Sequence, residues 1–125
     1  MSKVLVVEDE PEVRRVARMA LESQGYTVLE ADGGAAALAL VDATSAPVHL
    51  LLTDVVMPQM SGPEVAEKLA TVRPEVKVLY MSGYPDHPAF SKGGIDTEHS
   101  FLQKPFTPTT LAQKVREVLD GSKVA

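Results

Sequence analysis

Apolar and polar positions along the chain follow two rhythms. The short runs "KVLVV" (Lys3–Val7), "TVLEA" (Thr27–Ala31), "VHLLLT" (Val48–Thr53), "KVLYM" (Lys77–Met81) and "HSFLQ" (His99–Gln103) predict five strands. The first, third and fourth are nearly unbroken apolar stretches, as in strands covered on both faces of a parallel sheet. Between the runs, apolar residues recur at helical spacing. Pro11 suits a first turn, Val13, Val16, Ala17, Ala20 and Leu21 form one stripe, and Gly25 ends it. Asp32 is placed to cap a second helix through "GGAAALALVD". Ser61 and Glu64 stand at capping-box spacing, with Pro63 in the first turn and Val65, Ala66 and Leu69 facing inward. Thr107 and Pro108 open a last helix whose stripe is Leu111, Val115, Val118 and Leu119, ending near Gly121. Such alternation implies parallel strands, right-handed crossovers and helices on both faces.

One stretch breaks the rhythm. "GYPDHPAFSKGGIDTEH" (Gly83–His99) stands where a further helix belongs, but Pro85, Pro88, Gly93 and Gly94 leave one or two turns around Pro88–Lys92. A short, displaced or mobile helix is expected there.

Composition narrows the picture only slightly. A chain of 125 residues suits a single domain spanning residues 1–125 with one core. It has no cysteine, which removes disulfides and thiolate metal sites and fits a reducing, cytoplasmic setting. No apolar run approaches a membrane span, and "MSKVLVVEDE" lacks the long apolar segment of a secretory signal. A net charge of −5 and the absence of tryptophan argue against direct nucleic-acid binding.

The chemistry falls at strand ends. In an open parallel sheet, ligands bind beyond the carboxyl ends of the strands, where the strand order reverses. Glu8 and Asp9 follow the first strand, Asp54 ends the third in "LLTDVVMPQMSG", Ser82 follows the fourth, and Lys104-Pro105 follows the fifth. With the order 2-1-3-4-5, these residues converge in one crevice. Three carboxylates there repel one another unless a cation compensates them. Lys104 is one such cation, and a hard divalent ion such as Mg2+, which takes oxygen ligands, is another. The set would suit phosphoryl chemistry, with Asp54 as nucleophile, Lys104 and the ion neutralising phosphoryl oxygens, and the Ser82 hydroxyl donating a hydrogen bond. Singly, each residue has a plainer reading. Glu8, Asp9 and Pro11 could open a helix, Asp54 could be a loop acid, Ser82-Gly83 a turn, and Lys104 a solvated charge.

With those residues in view, the chain resembles a receiver domain of bacterial two-component signalling. The resemblance rests on "VLVVEDEPEVR" (Val4–Arg14), "DVVMPQMSG" (Asp54–Gly62), "YMSGY" (Tyr80–Tyr84) and "FLQKPF" (Phe101–Phe106), and covers essentially the whole chain. It implies a flavodoxin-like α/β three-layer sandwich around a five-stranded parallel sheet. It implies Asp54 as phosphoacceptor, served by a phosphohistidine on a histidine kinase or histidine phosphotransfer domain. Asp9 would bind Mg2+ (or Mn2+) directly and Glu8 through water, with Asp54 and the Val56 backbone carbonyl completing the protein ligands. Ser82 and Lys104 would contact the phosphoryl group, Gly83 would leave it access, and the Phe101 ring would follow Ser82 as a switch. Lys104-Pro105 is expected as a cis peptide. Val56 and Tyr84 stand where a polar side chain would orient attacking water, so slow self-dephosphorylation is expected.

The "MSGY" run, the degraded helix after it and "FLQKPF" are similar to the C-terminal receivers of hybrid sensor histidine kinases. That context is favoured over a stand-alone single-domain regulator, because the chain stops soon after its last helix with no DNA-binding module. Oligomeric state is left open, since the face that many receivers use to dimerise includes the degraded helix. A metal-dependent phosphatase is the rival enzyme reading, but it needs a second acid two residues after the nucleophile, and that position is Val56. A serine hydrolase fails on "YMSGY", which lacks the glycine of G-x-S-x-G, and His49 reads as a strand residue.

Overall fold

The computed structural model describes residues 2–83 and 101–120. Five strands, β1 (Lys3–Val7), β2 (Thr27–Ala31), β3 (Leu50–Asp54), β4 (Lys77–Ser82) and β5 (Phe101–Gln103), pair in parallel in the order β2-β1-β3-β4-β5. Four helices alternate with them among the described residues: α1 (Pro11–Ser23), α2 (Gly34–Ala43), α3 (Gly62–Val72) and α4 (Pro108–Asp120). The fold is the expected flavodoxin-like sandwich. The short helix expected around Pro88–Lys92 lies outside the described residues, as do Tyr84 and His99.

The central strands are apolar because both faces are covered. On one face Leu5, Val7 and Leu51 pack under Ala37 and Val41 of α2 and Val65, Ala66 and Leu69 of α3. On the other, Val4, Val6, Leu50, Leu52, Leu79 and Met81 pack under Ala17, Ala20 and Leu21 of α1 and Leu111 and Val115 of α4. Adjacent residues of β1 therefore serve opposite layers, as the two-residue strand period requires. Gly25, at φ 93°, takes the left-handed turn that ends α1 and leads into β2.

Three local expectations change. Asp32 does not cap α2: the N-cap position is Gly33, in extended backbone, with no side-chain capping bond at the helix start. The start of α2 is set by packing, since a Cβ on Gly34 would meet the Met60 sulfur and Val65 Cγ2 of the neighbouring loop and helix. Val16 of the α1 stripe is 41 % exposed, because the buried strip runs through Ala17, Ala20 and Leu21. Strand β3 starts at Leu50 rather than Val48 and carries on to Asp54. His49, just before it, donates its backbone N–H to Lys3 O and accepts the Lys3 N–H on its ring Nδ1, both at 2.9 Å.

The capping box stands as expected. Ser61 Oγ accepts the Glu64 N–H at 3.3 Å while the Glu64 carboxylate accepts the Ser61 N–H at 3.0 Å. Because α3 starts just after the β3 tip, this cap also fixes where the Asp54 loop ends. Ser61→Ala is expected to lower stability by about 1 kcal/mol. A urea titration should show a lower midpoint with an unchanged slope.

Candidate functional site: an acidic pocket at the strand tips

The strand order sets the site. β1 and β3 are neighbours and β4 flanks β3, so the tips of four strands open on one cavity of about 490 Å³. It is lined by Asp9, Glu10, Asp54, Val56, Met81, Ser82, Gly83 and Lys104. Asp54 is the last residue of β3, opposite Met81 of β4, and the next N–H, from Val55, donates to Met81 O at 3.0 Å. Beyond it the chain turns through Gln59, held in the left-handed region at φ 72°, and returns to the strand tip where Gly62 N–H donates to Val55 O at 2.8 Å. Met57-Pro58 belongs to this turn.

The acids converge. Glu8, Asp9 and Asp54 each offer a carboxylate oxygen, and these atoms lie within 4.8 Å of one another. Glu8 is 0 % exposed and Asp54 4 %, whereas Asp9 is exposed. Two buried carboxylates this close need a counter-charge. Lys104 supplies it, with Nζ 2.6 Å from Asp54 Oδ1, 2.8 Å from Glu8 Oε1 and 3.5 Å from Glu10 Oε1. The Lys104 N–H donates to Ser82 O at 2.9 Å, which fixes the lysine beside the β4 tip, and Lys104–Pro105 is a cis peptide.

The charge states follow from these contacts. Burial, then the hydrogen-bonded Glu8 carboxyl group, pushes the Asp54 pKa up to about 8, against the pull of Lys104 and with the Glu8 charge adding to the rise. Burial works to lower the Lys104 pKa, but its bonds to Asp54 and Glu8 outweigh that and hold it above the usual lysine value. The pocket thus has one firmly held positive charge and an excess of acid. An all-oxygen donor set of this kind fits a hard divalent ion.

The structure brings Glu8, Asp9, Asp54, Val56, Ser82, Gly83 and Lys104 to one pocket. Ser82 is 5 % exposed, and Val56 stands at the rim, 50 % exposed. Phe101 is half-buried in β5 opposite Tyr80, two residues before the ends of β4 and β5. Two contacts escaped the sequence reading. Glu10 lines the cavity and shares Lys104, which its place in the acidic run "EDEPE" gave no means of separating from a helix-start acid. Arg14 donates from Nη1 to the Glu8 backbone carbonyl at 2.7 Å, a contact no spacing rule signals.

Residues 4–116 match the sequence pattern of the family described as "Response regulator receiver domain". The chain belongs to that family, the receivers of two-component systems. It is 41 % identical to the sensor kinase CckA of Brucella abortus over 118 residues, which are 94 % of this chain and 12 % of that kinase. It is 32 % identical to the response regulator receiver protein CpdR of the same organism, over 95 % of this chain and 98 % of that protein. Among solved structures, the receiver domain of the hybrid histidine kinase CckA superposes with a TM-score of 0.78 at 36 % identity, over 94 % of this chain and 99 % of that one. The chemotaxis response regulator CheY4 of Vibrio cholerae gives 0.80 at 30 % identity, over 94 % and 98 %. Among the described residues, no helix is long and apolar enough to cross a membrane.

Proposed function

We propose that the whole chain is one phosphoacceptor domain in which Asp54 takes a phosphoryl group from a phosphohistidine of a histidine kinase or phosphotransfer domain. The observation that carries this is the buried Asp54 carboxylate held 2.6 Å from Lys104 and within 4.8 Å of two further acids. An Asp54 carboxylate oxygen attacks phosphorus, the phosphorus–nitrogen bond breaks, and its electron pair returns to the donor imidazole, which takes up a proton. Glu8, Asp9, Asp54 and the Val56 carbonyl would hold Mg2+ (or Mn2+), whose charge neutralises phosphoryl oxygens when it is bound. Lys104 exchanges its contact with Asp54 Oδ1 for a phosphoryl oxygen and stays protonated throughout. Ser82 donates its hydroxyl to another oxygen, Gly83 leaves the approach open, and the Phe101 ring moves with Ser82. The role is regulatory, exercised in the cytoplasm without direct contact with nucleic acid.

The test is phosphoryl uptake from acetyl phosphate, followed by mobility shift or radiolabel. Wild type with Mg2+ should be labelled on one residue, while wild type with a chelator and Asp54→Asn should not. Rapid turnover of many phosphate esters would instead favour a phosphatase.

We further infer that this receiver is a module of a hybrid sensor histidine kinase, which the 41 % identity to CckA supports. A stand-alone regulator is the second reading, favoured by the match to CpdR over 98 % of that protein's length.

Val56, half exposed at the mouth of the pocket, has no polar group to orient water onto an acyl phosphate. Slow loss of the phosphoryl group is expected from wild type, and Val56→Asn should shorten its lifetime by roughly tenfold, less than the roughly hundredfold or more of a positioned acid or base, because an amide orients water without taking its proton. Chasing label from the purified proteins measures both; fast decay in wild type would rule the idea out.

A further inference from the structure

One network of charged groups reaches the site without lining its cavity. Arg14, in the first turns of α1, donates to the Glu8 carbonyl at 2.7 Å, and its Nε lies 3.6 Å from Glu30 Oε1 on β2. Arg18, one turn further on, places Nε 2.9 Å from the other Glu30 oxygen. Glu30 is itself fixed, because β2 pairs with β1 in the register Val6↔Glu30. Glu8 is tied from its other side by its N–H, which donates to Ala31 O at 3.1 Å. The carbonyl that Arg14 grips belongs to the peptide unit that leads directly into Asp9. Asp9 is the exposed acid of the cluster, and its carboxylate forms no ion pair with another described residue.

We propose that Arg14 is a positioning residue for the cation site. By holding the Glu8–Asp9 peptide plane against α1 and β2, it aims the Asp9 carboxylate at Asp54. This rests on reading the acid cluster as a Mg2+ site. A planar peptide can still swing about the single bonds on either side of it, and a charge-assisted bond to its carbonyl removes that freedom. The planar guanidinium reaches the Glu8 carbonyl from Nη1 and the Glu30 carboxylate from Nε, two separated donors in one rigid fork, whereas the ammonium of lysine gathers its donors on a single nitrogen. Losing a group that orients a metal ligand from behind typically weakens metal binding by about ten- to a hundredfold. A backbone contact belongs at the lower end of that range.

The sign of the effect separates positioning from charge. Arg14 brings a positive charge close to the acids, so on electrostatics alone its removal should draw a dication in more tightly. Positioning gives the opposite result.

Mg2+ alone, titrated calorimetrically into the full chain, tests this. Arg14→Ala is expected to weaken Mg2+ binding by about tenfold, and Arg14→Lys, which keeps the charge and loses the fork, severalfold. Arg18→Ala, which contacts Glu30 and not the Glu8 carbonyl, should stay within about twofold. In the acetyl phosphate reaction, Arg14→Lys should need more Mg2+ for half-maximal rate while reaching nearly the wild-type rate at saturation. An unchanged urea midpoint for Arg14→Lys in chelator would show that the loss is not unfolding. Wild type that binds Mg2+ together with an Arg14→Ala variant that binds it equally or more tightly would overturn the proposal while leaving the site reading intact. Wild type that binds no Mg2+ at all would overturn both.

Discussion

Asp54→Asn is expected to abolish phosphoryl uptake and, at the same time, to make the metal-free protein more stable by about 2 kcal/mol near pH 8. Both effects come from a carboxylate kept where it is costly. Three acids, Glu8, Glu10 and Asp54, crowd one lysine, and two of them are buried. Burial first, and Glu8 second, lift the Asp54 pKa from its ordinary 3.8 to about 8. Because the folded pKa lies above the unfolded one, the folded chain retains a proton that the unfolded chain has released over this interval. The stability linked to that proton is complete below about pH 4 and is lost as pH rises to about 8.

Asparagine has the same shape and never ionises, so the variant escapes that loss. Part of the gain is offset because the Lys104–Asp54 ion pair goes too, although Lys104 keeps its contact with Glu8. Urea titrations in chelator at pH 5 and pH 8 should show a gap between variant and wild type that widens with pH. Equal midpoints at pH 8, or a gap that narrows, would mean that Asp54 is not held at a cost. Adding Mg2+ at pH 8 should then raise the wild-type midpoint and leave the variant nearly unmoved, since a ligand stabilises only the state that binds it. A site that is strained when empty gains more from its cation.

Much of this arrangement was legible in the sequence, for physical reasons that differ by element. β1, β3 and β4 are covered on both faces, so their apolar runs could hardly be read as anything else. The Ser61–Glu64 box is local, since both partners lie within one turn, and local chemistry can be read from spacing alone. Asp54, Ser82 and Lys104 were found because a parallel sheet gathers strand tips whatever the side chains do. The misses depend on packing. Asp32 was a sound capping residue, but the approach of Gly34 to Met60 and Val65 decided where α2 begins. Ala17, Ala20 and Leu21 of the expected α1 stripe are buried, but Val16, at helical spacing on its edge, faces outward. Glu8 read as either a helix-start acid or a metal neighbour, and its complete burial appears only once Lys104 arrives from nearly a hundred residues away. Arg14 was invisible for the same reason, because its main partner is a backbone carbonyl.

Gly62→Ala is expected to cost about 3 kcal/mol or more, which would make it the most damaging single methyl addition at the described glycines. α3 begins hard against the tip of β3. A Cβ on Gly62 would fall onto the Asp54 carbonyl oxygen, and would lie 3.0 Å from the Asp54 carbonyl carbon and 3.1 Å from Val55 Cα. All three are backbone atoms, so no side-chain rotation relieves the overlap. Either α3 retreats, breaking the Gly62–Val55 hydrogen bond and disturbing the Ser61 cap, or the strand tip that carries Asp54 moves. The first outcome removes stability, and the second also displaces the phosphoacceptor candidate from Lys104. Gly33→Ala is the matching control, since nothing lies within 4 Å of its Cβ position and its backbone is already extended. It should change stability by no more than about 0.5 kcal/mol. Urea midpoints for the two variants measure the difference, and a Gly62→Ala loss below about 1 kcal/mol would mean that α3 can slide away from the strand tip at little cost. The pocket would then owe its geometry to the sheet alone, and the seat of the helix would be incidental to where Asp54 points.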